Sequence, residues 1–329
     1  MSQAKYAYGV FIGRFQPVHA GHIDAIAQAS KQVEQLYILV GSANQCRSIK
    51  NPWTFDERAE MISSSLSAEG IDNFTITPLN DYPYNDSAWR SDVRATIEHL
   101  CGGVKPVLFG HQKAGNDYLT WFPELKFVDI QSRIRVNATS IRKEMFEGDN
   151  PSMPQTVRDD FAFYEKERQL FENYPFPETL NFNCADAVLE CQGYVLLIRR
   201  KFAPGAGAWA LPGGFRNQRE TFLDCAIREL VEETNVRVPE KVLRGSIVKT
   251  QLFDSPNRSF GIPRNTLAVY IRINPDPSGA LPRANGADDA AECKWVSLSD
   301  ALNKFELYDD HAAIISTMTG VQPLPAFIK

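Results

Sequence analysis

The apolar positions of the first half of the chain come in short runs. YAYGVFIG (6–13), QLYILVG (35–41), FTIT (74–77), KPVLFG (105–110) and LKFVDI (125–130) read as strands that are apolar nearly throughout. Such runs belong in a parallel sheet covered on both faces. Helical stretches fall between them, at about 20–33, 54–67 and 87–100. The alternation predicts an α/β, Rossmann-like domain whose ligands bind where the strands end. The texture changes past Asn181. FNCADAVLEC (182–191), GYVLLIRR (193–200), GSIVKTQLF (245–253), NTLAVYIRI (265–273) and CKWVSL (293–298) are strand-like and surround one strong helix at about 220–233. That predicts an α+β domain with a mixed sheet and few helices. Between the halves, EGDNPSMPQTV is turn-rich, 157–174 reads as a polar helix, and PFPETLN forms a second loop. The expected organisation is a first domain over 1–148, a helix-bearing linker over 149–180 and a second domain over 181–329. The loop 274–292 is long and is expected to be mobile.

Composition narrows the class. A chain of 329 residues suits two domains, and 43% hydrophobic residues supply two cores. Lys plus Arg number 35 against 40 Asp plus Glu, a formal net charge of -5, which argues against a nucleic-acid binder acting through bulk charge. No apolar run approaches the roughly 18 residues of a membrane span, and no secretory h-region opens the chain. Six cysteines are scattered, with the nearest pair, Cys184 and Cys191, too far apart for a CxxC clip. They read as reduced thiols of a cytoplasmic protein rather than a zinc site. Oligomeric state is left open, and a homo-oligomer is allowed.

Candidate chemistry appears first where the leading strand runs out. GRFQPVHAGH sets Gly13, Arg14, Phe15, His19 and His22 at that edge. Ala20 and Gly21 let backbone approach a ligand, and the helix starting there turns its free N–H groups toward an anion. Imidazole and guanidinium add phosphate donors. The stretch resembles the HxGH signature of the nucleotidyltransferases, and its longer form is similar to the archaeal-type nicotinamide mononucleotide (NMN) adenylyltransferases. RVNATSIRKEM resembles the second phosphate motif of that family, with Asn137 and Ala138 where serines are common, followed by Thr139 and Arg142. LFGHQKAGNDYL adds Gly110, His111 and Lys113, where such families contact ATP, although Ala114 stands where a related form has Asp. NDYPYNDSAWRSDV resembles the segment that holds the nicotinamide nucleotide. Trp89 is then a stacking platform and Asp81 or Asn85 a polar contact, or else Trp89 is core at a helix start. The resemblance covers about residues 6–147. It implies adenylyl transfer from ATP with Mg²⁺ bridging the phosphates, and Arg14, His19, His22 and Arg142 as the catalytic groups.

The second signal is WALPGGFRNQRETFLDCAIRELVEETNV. Glu229, Glu232 and Glu233 stand at i, i+3 and i+4, on one helical arc, with Leu223, Ile227 and Leu230 as the core stripe beside them. Crowded carboxylates of this kind call for Mg²⁺ or Mn²⁺. Arg228, four residues before Glu232, can orient it. The segment resembles a Nudix box, GX5EX7REUXEEXGU, running from Gly214 through Glu220, with Asn235 in place of the final glycine. The resemblance implies metal ligands at Glu229, Glu232 and Glu233, catalytic roles for Arg228, Glu232 and Glu233, and substrate contacts at Gly213 and Gly214. QLFDSPNRSFGIPRNT is similar to the substrate loop of the ADP-ribose pyrophosphatase branch. It keeps Phe253 and Arg258, and only Arg264 remains in its later part to meet a phosphate. The general base is open between a box glutamate and Asp288, Asp289 or Glu292.

Taken together, the chain resembles bifunctional NMN adenylyltransferase/Nudix hydrolases, with ATP, NMN, NAD and ADP-ribose as the implied small-molecule partners and neither nucleic acid nor membrane. Two alternatives remain. The acceptor could be nicotinate mononucleotide or another phosphate, and the Nudix half could be a sensor that binds ADP-ribose or NAD.

Overall fold

A computed structural model describes residues 6–111, 120–134, 136–148 and 152–328. The chain divides into two compact units. One comprises Met1–Gln45, Asn51–Pro154 and Pro325–Lys329, the other Cys46–Lys50 and Gln155–Leu324.

The first unit is built on β1 (Tyr6–Gly13), α1 (Ala20–Ser30), β2 (Val33–Val40), α2 (Phe55–Ala68), β3 (Phe74–Pro78), α3 (Asp86–Cys101), β4 (Val107–Gly110), β5 (Lys126–Asp129) and α4 (Ala138–Glu147). Its five strands lie in the order β3-β2-β1-β4-β5, every pair parallel, as the apolar runs predict. Neighbouring residues of β1 separate onto the two faces. Phe11 joins Ile26, Ile38, Ile62 and Phe109 in one cluster. Val10 joins Leu39, Val93, Ile97 and Leu108 in another. Period-two geometry thus turns continuous apolar strands into two cores.

The second unit contains α5 (Gln155–Leu170), β6 (Phe182–Cys191), β7 (Tyr194–Arg200), β8 (Trp209–Ala210), β9 (Gly213–Phe215), α6 (Phe222–Thr234), α7 (Glu240–Gly245), β10 (Ile247–Phe253), β11 (Arg264–Ile273), β12 (Ala290–Ser297), α8 (Leu298–Lys304) and α9 (His311–Thr319). Its mixed sheet runs β10-β11-β6-β7-β12, with β8 on β7 and β9 on β6. Only β11 and β6 pair in parallel along that path. One face packs α6 and α7 through Ile227, Leu230 and Leu243, and the other packs α8 and α9 through Leu302, Ile314 and Ile315. The result is an α/β/α sandwich.

Three expectations change. The helix before residue 181 is no free linker, since α5 groups with the second unit. The strong helix starts at Phe222, because Thr221 is its N-cap and closes a capping box with Asp224, leaving Glu220 in the preceding turn. The loop 274–292 is tethered rather than loose. Asn285 N–H donates to Thr234 O (2.7 Å), Ala287 N–H to Glu233 O (2.9 Å), and Trp295 Nε1 to Pro282 O (2.8 Å). Among the described residues no helix is long and apolar enough to cross a membrane.

Candidate active sites

The loop after β1 forms the first site. His19 is the N-cap of α1, and its Nδ1 accepts the His22 N–H at 3.2 Å. That bond leaves the His19 proton on Nε2, so the ring can donate outward. The two imidazoles stack with centroids 3.6 Å apart. Gly21 is required here. A Cβ at that position would lie 3.0 Å from Ile134 O and 3.2 Å from His19 Nδ1. Gly13 likewise leaves room for the Phe15 ring, which a Cβ would meet at 2.7 Å. The Phe15 backbone is left-handed (φ 54), and its ring is 1% exposed and edge-on to His22 at 4.9 Å. Phe15 therefore braces His22 from the core through its ring.

The second phosphate motif folds onto the same edge. Asn137 caps α4 by accepting the Thr139 N–H at 2.8 Å. Arg142 reaches back to the Gln16 carbonyl and lies 3.4 Å from Thr139 Oγ1. Burial and the nearby Arg14 charge depress the Arg142 pKa, while Arg14 itself is exposed. Two guanidiniums that feel each other's charge favour an anion beside them. At the end of β4, Gly110 is buried and His111 Nδ1 lies 3.3 Å from Asp129 Oδ1. Lys113 lies outside the described residues.

The nicotinamide candidates divide. Trp89 sits half-buried in the first turn of α3, edge-on to Trp121 at 5.8 Å and beside Phe122 at 6.0 Å, which fixes the indole plane. Asn85 spends its side chain capping α3 by accepting the Ala88 N–H at 3.0 Å. Asp81 accepts from Ser42 N (3.2 Å) and Ser42 Oγ (2.6 Å), locking a left-handed Ser42 after β2. Both side chains thus also hold local backbone in place. Arg58 of α2 was not singled out from sequence. Buried at 1% exposure, it donates to Arg14 O (2.6 Å), Gly41 O (2.7 Å), Ser42 O (3.3 Å) and Thr54 O (3.1 Å), and burial lowers its pKa to about 10. It ties the loops after β1 and β2 into one edge. Its sequence context, an amphipathic helix, offers no sign of this.

The second site is a cavity of about 480 Å³. Its walls include Gly213 and Gly214 of β9, Glu229 and Glu233 of α6, and Arg258. Glu233 Oε2 accepts the Gly213 N–H at 2.9 Å, and burial pushes its pKa up to about 8. Burial also raises the Glu229 pKa. A Cβ on Gly214 would meet Glu229 Oε1 at 2.5 Å, and one on Gly213 would collide with Asp186, so both glycines are demanded by close approach to acids.

Arg228 does more than orient Glu232. Nη1 donates to Glu229 Oε1 (2.7 Å) and Glu232 Oε2 (2.9 Å), Nε to Glu220 Oε1 (2.7 Å), and Nη2 to Phe215 O (3.1 Å). Glu232 is exposed, and its Oε2 accepts from Arg228 Nη1. Of the box acids Glu229 and Glu233 line the cavity. Among the described residues no three His, Cys, Asp or Glu side chains converge as a finished metal cage. The donors nevertheless fit a hard divalent cation. They are carboxylate and carbonyl oxygens, and a buried Glu233 that burial keeps protonated would exchange its proton for a cation.

Three further candidates are placed by the structure. Phe253 is 1% exposed within the apolar cluster of α8 and α9. Arg258 lines the cavity and forms a bidentate pair with Asp310, at 3.0 and 2.8 Å. Arg264 lines the cavity as well, and its guanidinium donates to Phe260 O, Ile262 O and Glu167. Of the loop acids only Asp289 lines the cavity. The wall also holds Arg200 and Lys201, which the basic RRK at the end of an apolar strand could have signalled, and His311. The His311 Nδ1 accepts the Leu211 N–H at 2.8 Å, and burial lowers its pKa.

Comparison with known proteins agrees with this division. Residues 10–93 match the cytidylyltransferase-like family model and residues 182–318 the NUDIX domain model. A nicotinamide/nicotinic acid mononucleotide adenylyltransferase of Acinetobacter baylyi is 37% identical over 147 residues, 44% of this chain and 78% of that relative. A nicotinamide-nucleotide adenylyltransferase of Pyrococcus horikoshii is 44% identical over 147 residues, 43% of this chain and 74% of that relative. The crystal structure of a bifunctional NMN adenylyltransferase/ADP ribose pyrophosphatase from Francisella tularensis, complexed with AMP and Mn ion, is similar across 96% of this chain and 99% of its own, at 30% identity and a TM-score of 0.82.

Proposed function

The chain belongs to the family of bifunctional NMN adenylyltransferase/ADP-ribose pyrophosphatases, and from that premise we propose how its residues divide the two reactions. In the first, an oxygen of the mononucleotide phosphate bonds to the α-phosphorus of ATP, the bond from that phosphorus to the bridging oxygen breaks, and pyrophosphate leaves with NAD as the other product. This chemistry needs positioning and charge neutralisation rather than a covalent nucleophile. Arg14 and Arg142 clamp the phosphates, the His19 Nε2–H donates to a non-bridging oxygen, and His22 completes the edge. Trp89, its plane fixed by Trp121, stacks on the pyridine ring.

In the second, ADP-ribose is split by water into AMP and ribose 5-phosphate. Glu229 and Glu233 hold a divalent cation, Mg²⁺ or Mn²⁺, which when bound polarises the diphosphate and activates water. Gly213 and Gly214 bring backbone beside it, and Arg200 and Lys201 meet the diphosphate charge. The observation that carries the reading is the presence, in one chain, of the histidine–arginine edge at β1 and of the glycine–glutamate wall at α6. Incubation with ATP, Mg²⁺ and either NMN or nicotinate mononucleotide, with products weighed by mass spectrometry, tests the first half. Nicotinate mononucleotide belongs in the panel because the Acinetobacter relative is named for both. Incubation with ADP-ribose and NAD tests the second. Release of AMP from ADP-ribose is expected, and no turnover with either metal would revive the sensor alternative.

A further inference from the structure

Helix α5 precedes the segment that matches the NUDIX model, yet its side chains are built into the wall of the second cavity. Phe163 lines that cavity. Asp160 Oδ1 accepts the Gly205 N–H at 2.9 Å, holding the turn after β7. Glu167 is buried and pairs with the equally buried Arg264 at the start of β11, and it also accepts the Ile262 N–H at 3.3 Å. The Arg264 guanidinium in turn lies over three rings, 5.4 Å from Tyr164, 5.4 Å from Phe182 and 5.9 Å from Phe215. Phe182 meets Phe215 edge-on at 5.4 Å. Phe215 is thus fixed by a cation and a neighbouring ring, but it is 53% exposed and faces the cavity. An apolar ring held still at the mouth of a polar cavity suits a planar partner.

We propose that α5 completes the second site, with Glu167 a positioning residue that holds Arg264 against Phe215, and Phe215 the platform on which the adenine of the diphosphate substrate stacks. The inference rests on the assignment of an adenine nucleotide to this cavity. It gives Arg264, held by Phe260 O, Ile262 O and Glu167, a role in fixing that ring. It also makes α5 a requirement of the second activity, although the helix lies outside the NUDIX segment.

The test uses the full chain and AMP as the probe, by titration calorimetry with Mg²⁺, so that it does not depend on turnover. Phe215→Ala should weaken AMP about tenfold, in line with the loss of one base–aromatic stack, and Phe215→Tyr should stay within about twofold of wild type on the same ground. Glu167→Gln should weaken AMP in the same direction, with its fold checked by an unchanged melting temperature and by circular dichroism. Ribose 5-phosphate affinity should move less than about twofold in all three, because that product has no base to stack. Equal losses for AMP and ribose 5-phosphate, or unchanged AMP affinity in Phe215→Ala, would overturn the proposal. Unchanged AMP affinity in a folded Glu167→Gln would do the same for the positioning role. Hydrolysis of ADP-ribose by the wild type is measured alongside. Its failure would refute the activity, while the AMP titrations would still decide the platform.

Discussion

Single residues set the geometry of both sites through close approach. Gly214 is the case that bears on the box acids, since a Cβ there would meet Glu229 Oε1 at 2.5 Å and the carboxylate would have to shift. Gly214→Ala should lower ADP-ribose turnover at least about tenfold, the cost of misplacing a cation-holding group, while adenylyl transfer is unchanged. Trp89→Ala should raise KM for the mononucleotide well above any change for ATP, since the ring sits away from the phosphate edge. Parallel KM measurements decide this, and a shift for ATP alone would contradict the stacking role. Asp24 offers a pH test. Hydrogen bonds from Arg133 pull its pKa from 3.8 down to about 2. Its folded-state pKa is depressed, so its stabilisation is present above about pH 4 and is lost as pH falls through about 2. Asp24→Asn should therefore flatten the dependence of melting temperature on pH between 4 and 2. At this scale the sequence displayed the histidines, the arginines and the box acids, because each sits in a spaced motif. It hid Arg58 and the partners of Asp81, Arg258 and Arg264, because Gly41, Ser42, Asp310 and Glu167 are distant in sequence and meet them only in the fold.

Elements were legible where periodicity and caps agreed. The box helix shows why. Thr221 and Asp224 close its start, Ile227 and Leu230 bury its inner face, and Asn235 ends it in a left-handed turn at φ 43. Asn is the residue after Gly that best tolerates that turn. Asn235→Ala should thus cost about 1 kcal/mol of stability, and Asn235→Gly should be nearly neutral, by denaturant titration. A larger loss for Gly than for Ala would show that the Asn side chain, not the backbone, matters. Short elements escaped. The paired β8 and β9 span two and three residues, too few for a period to show. Helix α9, HAAIISTMT, is apolar and buried over most of its surface, so it carries no amphipathic stripe. The start of β2 was read as the end of α1 because Lys31, Gln32 and Val33 continue a helical pattern that only the sheet interrupts.

The chain divides into two compact units, each with its own hydrophobic cores. Two units were expected because strands alternate with helices before the turn-rich joint and crowd around one strong helix after it. The membership of α5 was not, since Glu167 and Tyr164 find their partners only once β11 is in place. The most direct test of the account is a paired assay on one preparation each of wild type, His22→Ala and Glu229→Gln, scoring NAD formed from ATP and NMN and AMP released from ADP-ribose. The account predicts that His22→Ala abolishes the first and spares the second, and that Glu229→Gln does the reverse. Equal loss of both activities in either variant, at an unchanged melting temperature, would contradict it.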